Sequence, residues 1–194
     1  TEAGFGLRFD DLLLTDDSLQ FKASYFDTDA KDYIFMYVTR TQTASANISR
    51  AKIWGWDTSL NYQTKWFNWD LAYNRTRGKD KSRNGELNAK SGDWLADISP
   101  DTVTSSLDVP LGETGLSAGW VATFAERAKR VPATYSEQGG YGVNDFYLSY
   151  KGRDRLQGMT TTVVLGNAFD KEYYSPQGVP QDGRNAKLLV SYQW

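Results

Sequence analysis

The 194 residues of this chain include no cysteine and no histidine. Without cysteine there are no disulfides, no thiolate nucleophile and no thiolate metal site. Without histidine, the commonest general base and the commonest metal ligand are missing together. Serine–histidine and cysteine–histidine nucleophile systems therefore cannot be built from these residues, and neither a catalytic nor a metal-ligating residue is assigned. An excess of basic charge is lacking too, with 22 Lys and Arg against 24 Asp and Glu. That leaves no cationic footprint for nucleic acid. Long hydrophobic runs are also scarce. The longest, such as 34–38, fall far short of the roughly 20 residues of a membrane-spanning helix. The opening TEAGFGLRF is acidic and already strand-like, unlike a secretion signal.

Aromatic side chains, by contrast, are abundant. Seven Trp, 12 Tyr and 9 Phe make up 14% of the chain, yet the mean hydropathy is −0.59. A transmembrane β-barrel reconciles the two, because half of every strand faces water inside it. The pattern agrees. In LQFKASYF, Leu19, Phe21, Ala23 and Tyr25 alternate with Gln20, Lys22 and Ser24. In WGWDTSLNY, Trp54, Trp56, Thr58, Leu60 and Tyr62 alternate with Gly55, Asp57, Ser59 and Asn61. FNWDLAYNR, LSAGWVATFAE and NDFYLSYKG repeat this period of two, which no amphipathic helix can satisfy.

About nine strands follow, at 2–9, 18–27, 51–62, 66–77, 102–109, 115–127, 142–151, 157–168 and 185–194, most near the roughly 9–11 residues of a tilted bilayer-crossing strand. Short connections fall at TKW, LGETG and KGRDRLQG. Long ones begin after Phe26, Arg77, Arg127 and Phe169. Outer-membrane barrels show this asymmetry, with short periplasmic turns and longer extracellular loops. Tyr62, Trp66, Trp69, Tyr150 and Trp194 flank short turns, where a periplasmic aromatic girdle would lie, while Tyr25, Tyr73 and Tyr173 lie nearer the long loops. A soluble β-sandwich also alternates, but it does not account for the long–short rhythm.

An odd strand number cannot close a bacterial single-chain barrel, and open edges in lipid leave backbone groups unpaired. The expected fold is therefore all-β and antiparallel, with residues 1–194 forming the C-terminal section of a larger transmembrane barrel that begins mid-structure. The last segment, NAKLLVSYQW, alternates to its final residue, with Leu189 alone apolar on the polar side. It should be half-buried and paired on both sides, with 157–168 in this chain and with the first strand of the larger barrel, which this chain does not contain.

The closing residues NAFDKEYYSPQGVPQDGRNAKLLVSYQW resemble the last hairpin of TonB-dependent outer-membrane receptors. The likeness rests on Asn167, Phe169, Asp170, Lys171 and Tyr173, on Gly183, Arg184 and Asn185, and on the terminal aromatics. Upstream, RFDDLLLTDDSLQFKASYFDTDAKDYI, NRTRGKD, SPDTVTSSLDVP and GYGVNDFYLSYKG are similar to the haem-uptake, hemophore-receptor branch. The resemblance implies a barrel of about 22 strands in the outer membrane of a Gram-negative bacterium, with an N-terminal plug that precedes this chain. It implies a transporter rather than an enzyme. Haem would be its cargo, received from an extracellular hemophore or haemoprotein, and TonB would act through the plug region. Tyr192 and Trp194 would present the signal read by the barrel-assembly machinery. A ferric siderophore is the alternative cargo.

Haem receptors of this branch hold iron with histidines, so those ligands have no counterpart here. Tyrosine can also ligate haem, and Tyr37, Tyr135, Tyr173 and Tyr174 lie in or beside long loops. Interface anchoring and partner packing are the plainer roles. Phe35, Tyr37, Trp94, Tyr135, Tyr173 and Tyr174 are accordingly the candidate partner contacts. DTDAKD fails the calcium-loop pattern, which needs Gly at position six and an acid at twelve. Its carboxylates read as a solvated cluster at a loop base, and Lys79, Lys81 and Arg83 as a solvated loop tip.

Overall fold

A segment that alternates apolar and polar residues can satisfy its backbone only by pairing sideways with other strands. The computed structural model describes residues 1–38, 43–82, 92, 94–95, 98, 101–127, 139–175 and 179–194, with the backbone alone at 35–38 and 43–46. The strands are β1 (Glu2–Asp10), β2 (Ser18–Val38), β3 (Thr43–Gln63), β4 (Asn68–Asp80), β5 (Thr102–Pro110), β6 (Leu116–Ala125), β7 (Tyr141–Lys151), β8 (Met159–Gly166) and β9 (Asn185–Tyr192). Each pairs antiparallel with the next, giving one nine-stranded meander. No helix among the described residues is long and apolar enough to cross a membrane, a statement that says nothing of strands.

The register sorts side chains onto two walls. Leu7, Phe21, Leu60 and Leu71 stand side by side on neighbouring strands, as do Leu107, Trp120, Phe146 and Leu165 further along. The opposite wall carries Lys22, Ser59, Asp57, Asn68 and Asp70. One face is an apolar band and the other is wet, the arrangement of a barrel wall with lipid outside and water inside. Leu189 does stand on the wet side, across from Thr162.

The expected long connection after Phe26 is not a loop. β2 and β3 continue as one ladder up to Val38↔Thr43, missing only the pair Asp32/Ser49. Residues 28–50 contain neither Gly nor Pro, and YIFMYVT is rich in β-formers, so nothing interrupts the strands. The DTDAKD carboxylates therefore sit along a strand: Asp27 pairs with Lys52 at 3.0 Å and Asp29 with Arg50 at 3.2 Å. Asp32 has φ +53°, and alternation is reset there. Ile48 and Ala51, three apart and so expected on opposite faces, share one buried cluster with Leu95.

β4 also outruns its expected end. Above its pairing with β5, its free edge is taken by the incoming chain: Gly92 N–H donates to Asp80 O (2.7 Å) and Leu95 N–H to Gly78 O (2.9 Å). Lys79 is thus a strand residue rather than a loop tip. Its Nζ lies 4.6 Å from the centre of the Trp94 ring. On the inner wall, Leu95 and Ile98 fill the space over Gly78, where a Cβ would meet both at 2.8 Å.

The sheet is open. Among the described residues, β1 pairs only with β2 and β9 only with β8. β9 pairs with β8, as expected of the terminal strand; the second neighbour expected for it, the first strand of the larger barrel, lies outside this chain. β9 lacks its second neighbour here, and most of it is exposed.

Candidate functional site

The long-connection ends of the strands form one rim, extracellular by the barrel convention, and Phe35, Tyr37, Trp94, Tyr173 and Tyr174 lie towards it. β2 and β3, at 21 residues each, are about twice what a bilayer crossing needs. Their upper halves stand clear of the band as a projecting hairpin. The band's upper limit shows in the chemistry. The Tyr25 and Trp56 rings lie 4.8 Å apart, tilted by 50°, on the outer wall, and beyond them the same wall turns charged with Asp27, Lys52, Arg75 and Arg77.

A compact ion cluster lies at this limit. Arg77, 5% exposed, makes a bidentate pair with Asp101, one arm at 2.7 Å, and reaches Glu126 at 3.5 Å. The Tyr73 hydroxyl also donates to Asp101 at 3.3 Å. The cluster ties β4 to the start of β5 and the end of β6, and planar bidentate pairing gives it a fixed geometry. Sequence reasoning missed it. The available signal was a break in alternation after Tyr73, where arginines take positions that lower down hold Trp69 and Leu71.

Beside it, Asn167 organises the connection between β8 and β9. Its side chain donates to Lys171 O (2.8 Å) and Asp182 O (3.1 Å) and accepts from Lys171 N–H (2.8 Å), while its own N–H donates to the Asp145 carboxylate (2.6 Å). Asn167 has φ +46° and is 3% exposed, and asparagine is among the few residues that take this left-handed backbone readily. Asp170 accepts from Arg184 N–H at 2.8 Å, closing the bracket. Phe169 lies edge-on to Phe146 at 6.2 Å.

The candidate contacts fall into three groups. Phe35 and Tyr37 are strand residues of the projecting hairpin, opposite Ala46 and Ala44, rather than loop residues. Trp94 sits on the short extra pairing against β4, its ring 6.1 Å from Trp54. Tyr173 packs against Tyr141 at 4.6 Å, and the Tyr174 hydroxyl donates to Glu172 at 2.6 Å. Tyr135 lies outside the described residues. The Tyr173 phenol is pushed up by burial and then by the neighbouring Tyr141, Asp145 and Asp182 charges. Tyr174 is raised chiefly by its hydrogen bond to Glu172. Both are thus biased against the phenolate form that a metal requires. At the opposite rim, the rings of Tyr192 and Trp194 are 6.5 Å apart.

Nine antiparallel strands with an apolar outer wall, aromatics at its limits and a polar inner wall define a section of an outer-membrane β-barrel. The chain belongs to the TonB-dependent receptor family: residues 2–168 match the family described as "TonB dependent receptor-like, beta-barrel". Members of this family are receptors and transporters of the Gram-negative outer membrane. The chain is 59% identical over 206 residues to a "Hemin receptor" of Yersinia enterocolitica, covering 100% of this chain and 29% of the relative. A "Hemin receptor" of Yersinia pestis is 60% identical over 195 residues, covering 100% and 28%. The chain thus spans less than a third of the curated relatives it matches. Among solved structures, "Copper transporter OprC" superposes with a TM-score of 0.77 at 21% identity, over 98% of this chain and 30% of that one. A double mutant of the Serratia marcescens hemophore receptor HasR, in complex with its hemophore HasA and heme, gives 0.71 at 24%, over 100% and 30%. At these identities the likeness establishes the fold.

Proposed function

We propose that this chain is the C-terminal barrel section of an outer-membrane haem receptor. The whole protein takes haem from an extracellular hemophore or haemoprotein and imports it with energy relayed by TonB through a plug region outside this chain. The observation that carries this reading is the near-60% identity, along the entire chain, to two proteins named hemin receptors.

Within that function the chain's share is wall and docking rather than iron ligation. It has no histidine, and Tyr173 and Tyr174 are held towards the protonated phenol. The iron ligands therefore come from elsewhere in the receptor or from the donor. Phe35, Tyr37, Trp94, Tyr135, Tyr173 and Tyr174 contact the incoming haem-carrying protein, and the projecting β2–β3 hairpin presents the first of them well above the lipid. Tyr192 and Trp194 present the terminal signal to the barrel-assembly machinery.

The test is growth of a haem-auxotrophic Gram-negative strain, stripped of its own haem receptors and carrying the full-length gene. Haem or a haemoprotein as sole haem source should support growth only when TonB is present. Failure on haem together with rescue of iron-limited growth by a ferric siderophore would replace the haem reading with the siderophore one.

A further inference from the structure

The turn between β1 and β2 reads DDLLLTDD, and its backbone is gathered on a single carboxylate. Asp17 precedes Leu19 by two and belongs to the outer, lipid-facing wall. Its carboxylate accepts from Leu12 N–H (2.7 Å), Leu13 N–H (3.0 Å), Leu14 N–H (2.8 Å) and the Tyr62 hydroxyl (2.7 Å). Tyr62 also belongs to the outer wall, across from Leu19, and Phe67 lies beside its ring at 5.7 Å. The tri-leucine segment is thus drawn against the outer wall, over a carboxylate that is 3% exposed. It does not hang beneath the barrel.

Those same three leucines expose their side chains: 47% for Leu12, 71% for Leu13 and 38% for Leu14. They follow β1, whose Phe5, Leu7 and Phe9 form an exposed outward row, and they are fastened through Asp17 to Tyr62 of the same wall. A chain segment enters the membrane only if its backbone donors are satisfied internally. An ionised carboxylate offers about four acceptor sites, and here they meet three consecutive backbone donors and one hydroxyl. Two more donors of the turn are also met: Asp16 N–H by the Asp11 carboxylate (2.7 Å) and Asp11 N–H by Asp17 O (3.0 Å). The residues whose N–H groups are captured are the residues whose apolar side chains are free to enter hydrocarbon.

We propose that Leu12–Leu14 form an anchor that inserts into the periplasmic leaflet of the outer membrane, and that Asp17 makes the segment insertable by taking up its backbone donors. The occupant of this apolar surface is phospholipid, because the surface is continuous with the lipid-facing band of β1 and β2.

The experiment uses the full-length receptor folded into phospholipid vesicles, in a background without other accessible cysteines. Single cysteines at Leu13, Leu7 and Thr15 carry an environment-sensitive fluorophore, read against lipids brominated near the acyl carbonyl and against aqueous iodide. Leu13→Cys should be quenched by the brominated lipid to within a factor of about two of Leu7→Cys and be protected from iodide, as a segment at the headgroup–acyl boundary is. Asp17→Asn, added to Leu13→Cys, should move quenching from lipid to iodide. Iodide quenching without lipid quenching at Leu13 would overturn the anchor, since the turn would then stand in water. Protection from both quenchers would also overturn it, in favour of a protein partner. Unchanged lipid quenching with Asp17→Asn would overturn the role of the carboxylate. Loss of lipid quenching at Leu7 would instead count against the barrel reading itself.

Discussion

Leu188 and Leu189 are adjacent residues with the same side chain on opposite walls, and they allow the two solvents of this sheet to be compared directly. Leu188 pairs with Val163 on the outer wall and is 68% exposed; Leu189 pairs with Thr162 on the inner wall and is 54% exposed. Arginine at either position removes the same leucine and adds the same charge, so the difference between them reports the solvent. Leu188 is about four residues above Tyr192, roughly 10 Å along the membrane normal at a tilt of about 40°. That is near the middle of an apolar band about 25 Å tall. Leu188→Arg should therefore cost about 2–4 kcal/mol, roughly 30- to 900-fold in the folding equilibrium. Leu189→Arg joins Lys187 on a water-facing wall and should stay within about 0.5 kcal/mol of wild type. Equilibrium folding titrations of the full-length receptor into lipid vesicles measure both. Equal costs would refute the assignment of the walls, and a larger loss at Leu189 would invert it.

Asn167→Ala removes three side-chain hydrogen bonds, each worth about 0.5–1.5 kcal/mol, and should open the β8–β9 connection to protease on whole cells; unchanged nicking would mean the bracket is incidental. Gly119→Ala puts a Cβ 2.0 Å from Tyr147 Cζ, so the ring must shift and strain its 2.7 Å bond to Asp108. We expect about 1–3 kcal/mol of destabilisation, less in a Tyr147→Ala background; equal losses in both backgrounds would argue against the contact. Deleting Trp194, which is fully exposed, should lower surface abundance of the full-length receptor sharply while costing little folded contact. Unchanged whole-cell antibody labelling would leave the terminal aromatic without an assembly role.

The strands within the band were legible because each of their two faces meets a different solvent. β1, β5, β6, β7, β8 and β9 fall within two residues of their sequence-based limits, and Leu189 was visible as the one apolar side chain of β9 on the wet wall. The upper halves of β2 and β3 were not legible, for the converse reason. Above Tyr25 and Trp56 the outer wall of the hairpin meets water instead of lipid, so Asp27, Asp29, Arg50 and Lys52 can occupy the wall that holds Phe21 and Leu60 lower down, while the other face packs Ile48 and Ala51 against Leu95. The alternation vanishes although the strand does not. What remained in the sequence was a weaker signal, a stretch without Gly or Pro that keeps its β-formers. The rim contacts were less legible still. Asn167 was recognisable as part of a motif, but its bonds to Lys171 and Asp182 depend on a chain reversal that spacing alone does not specify. The Arg77–Asp101–Glu126 cluster joins residues separated by 24 and 49 positions, across a long connection whose path spacing does not specify.

A period of two in this chain therefore measures the membrane more than it measures the strand. Where it fails upward, at Asp27 and Arg75, the aromatic pair Tyr25–Trp56 marks the lipid boundary and the backbone pairing runs on without it. Where it fails downward, at Asp11–Asp17, the backbone pairing ends but the apolar surface does not, because Asp17 has taken the place of a partner strand for Leu12, Leu13 and Leu14. Pairing and apolarity are separate requirements: lipid demands both, water demands neither, and a turn can stay at the lipid surface if a single carboxylate supplies the acceptors that a neighbouring strand would have supplied. The upper and lower limits of the band are thus set by different chemistry, charge on a continuing strand above and a capped tri-leucine turn below.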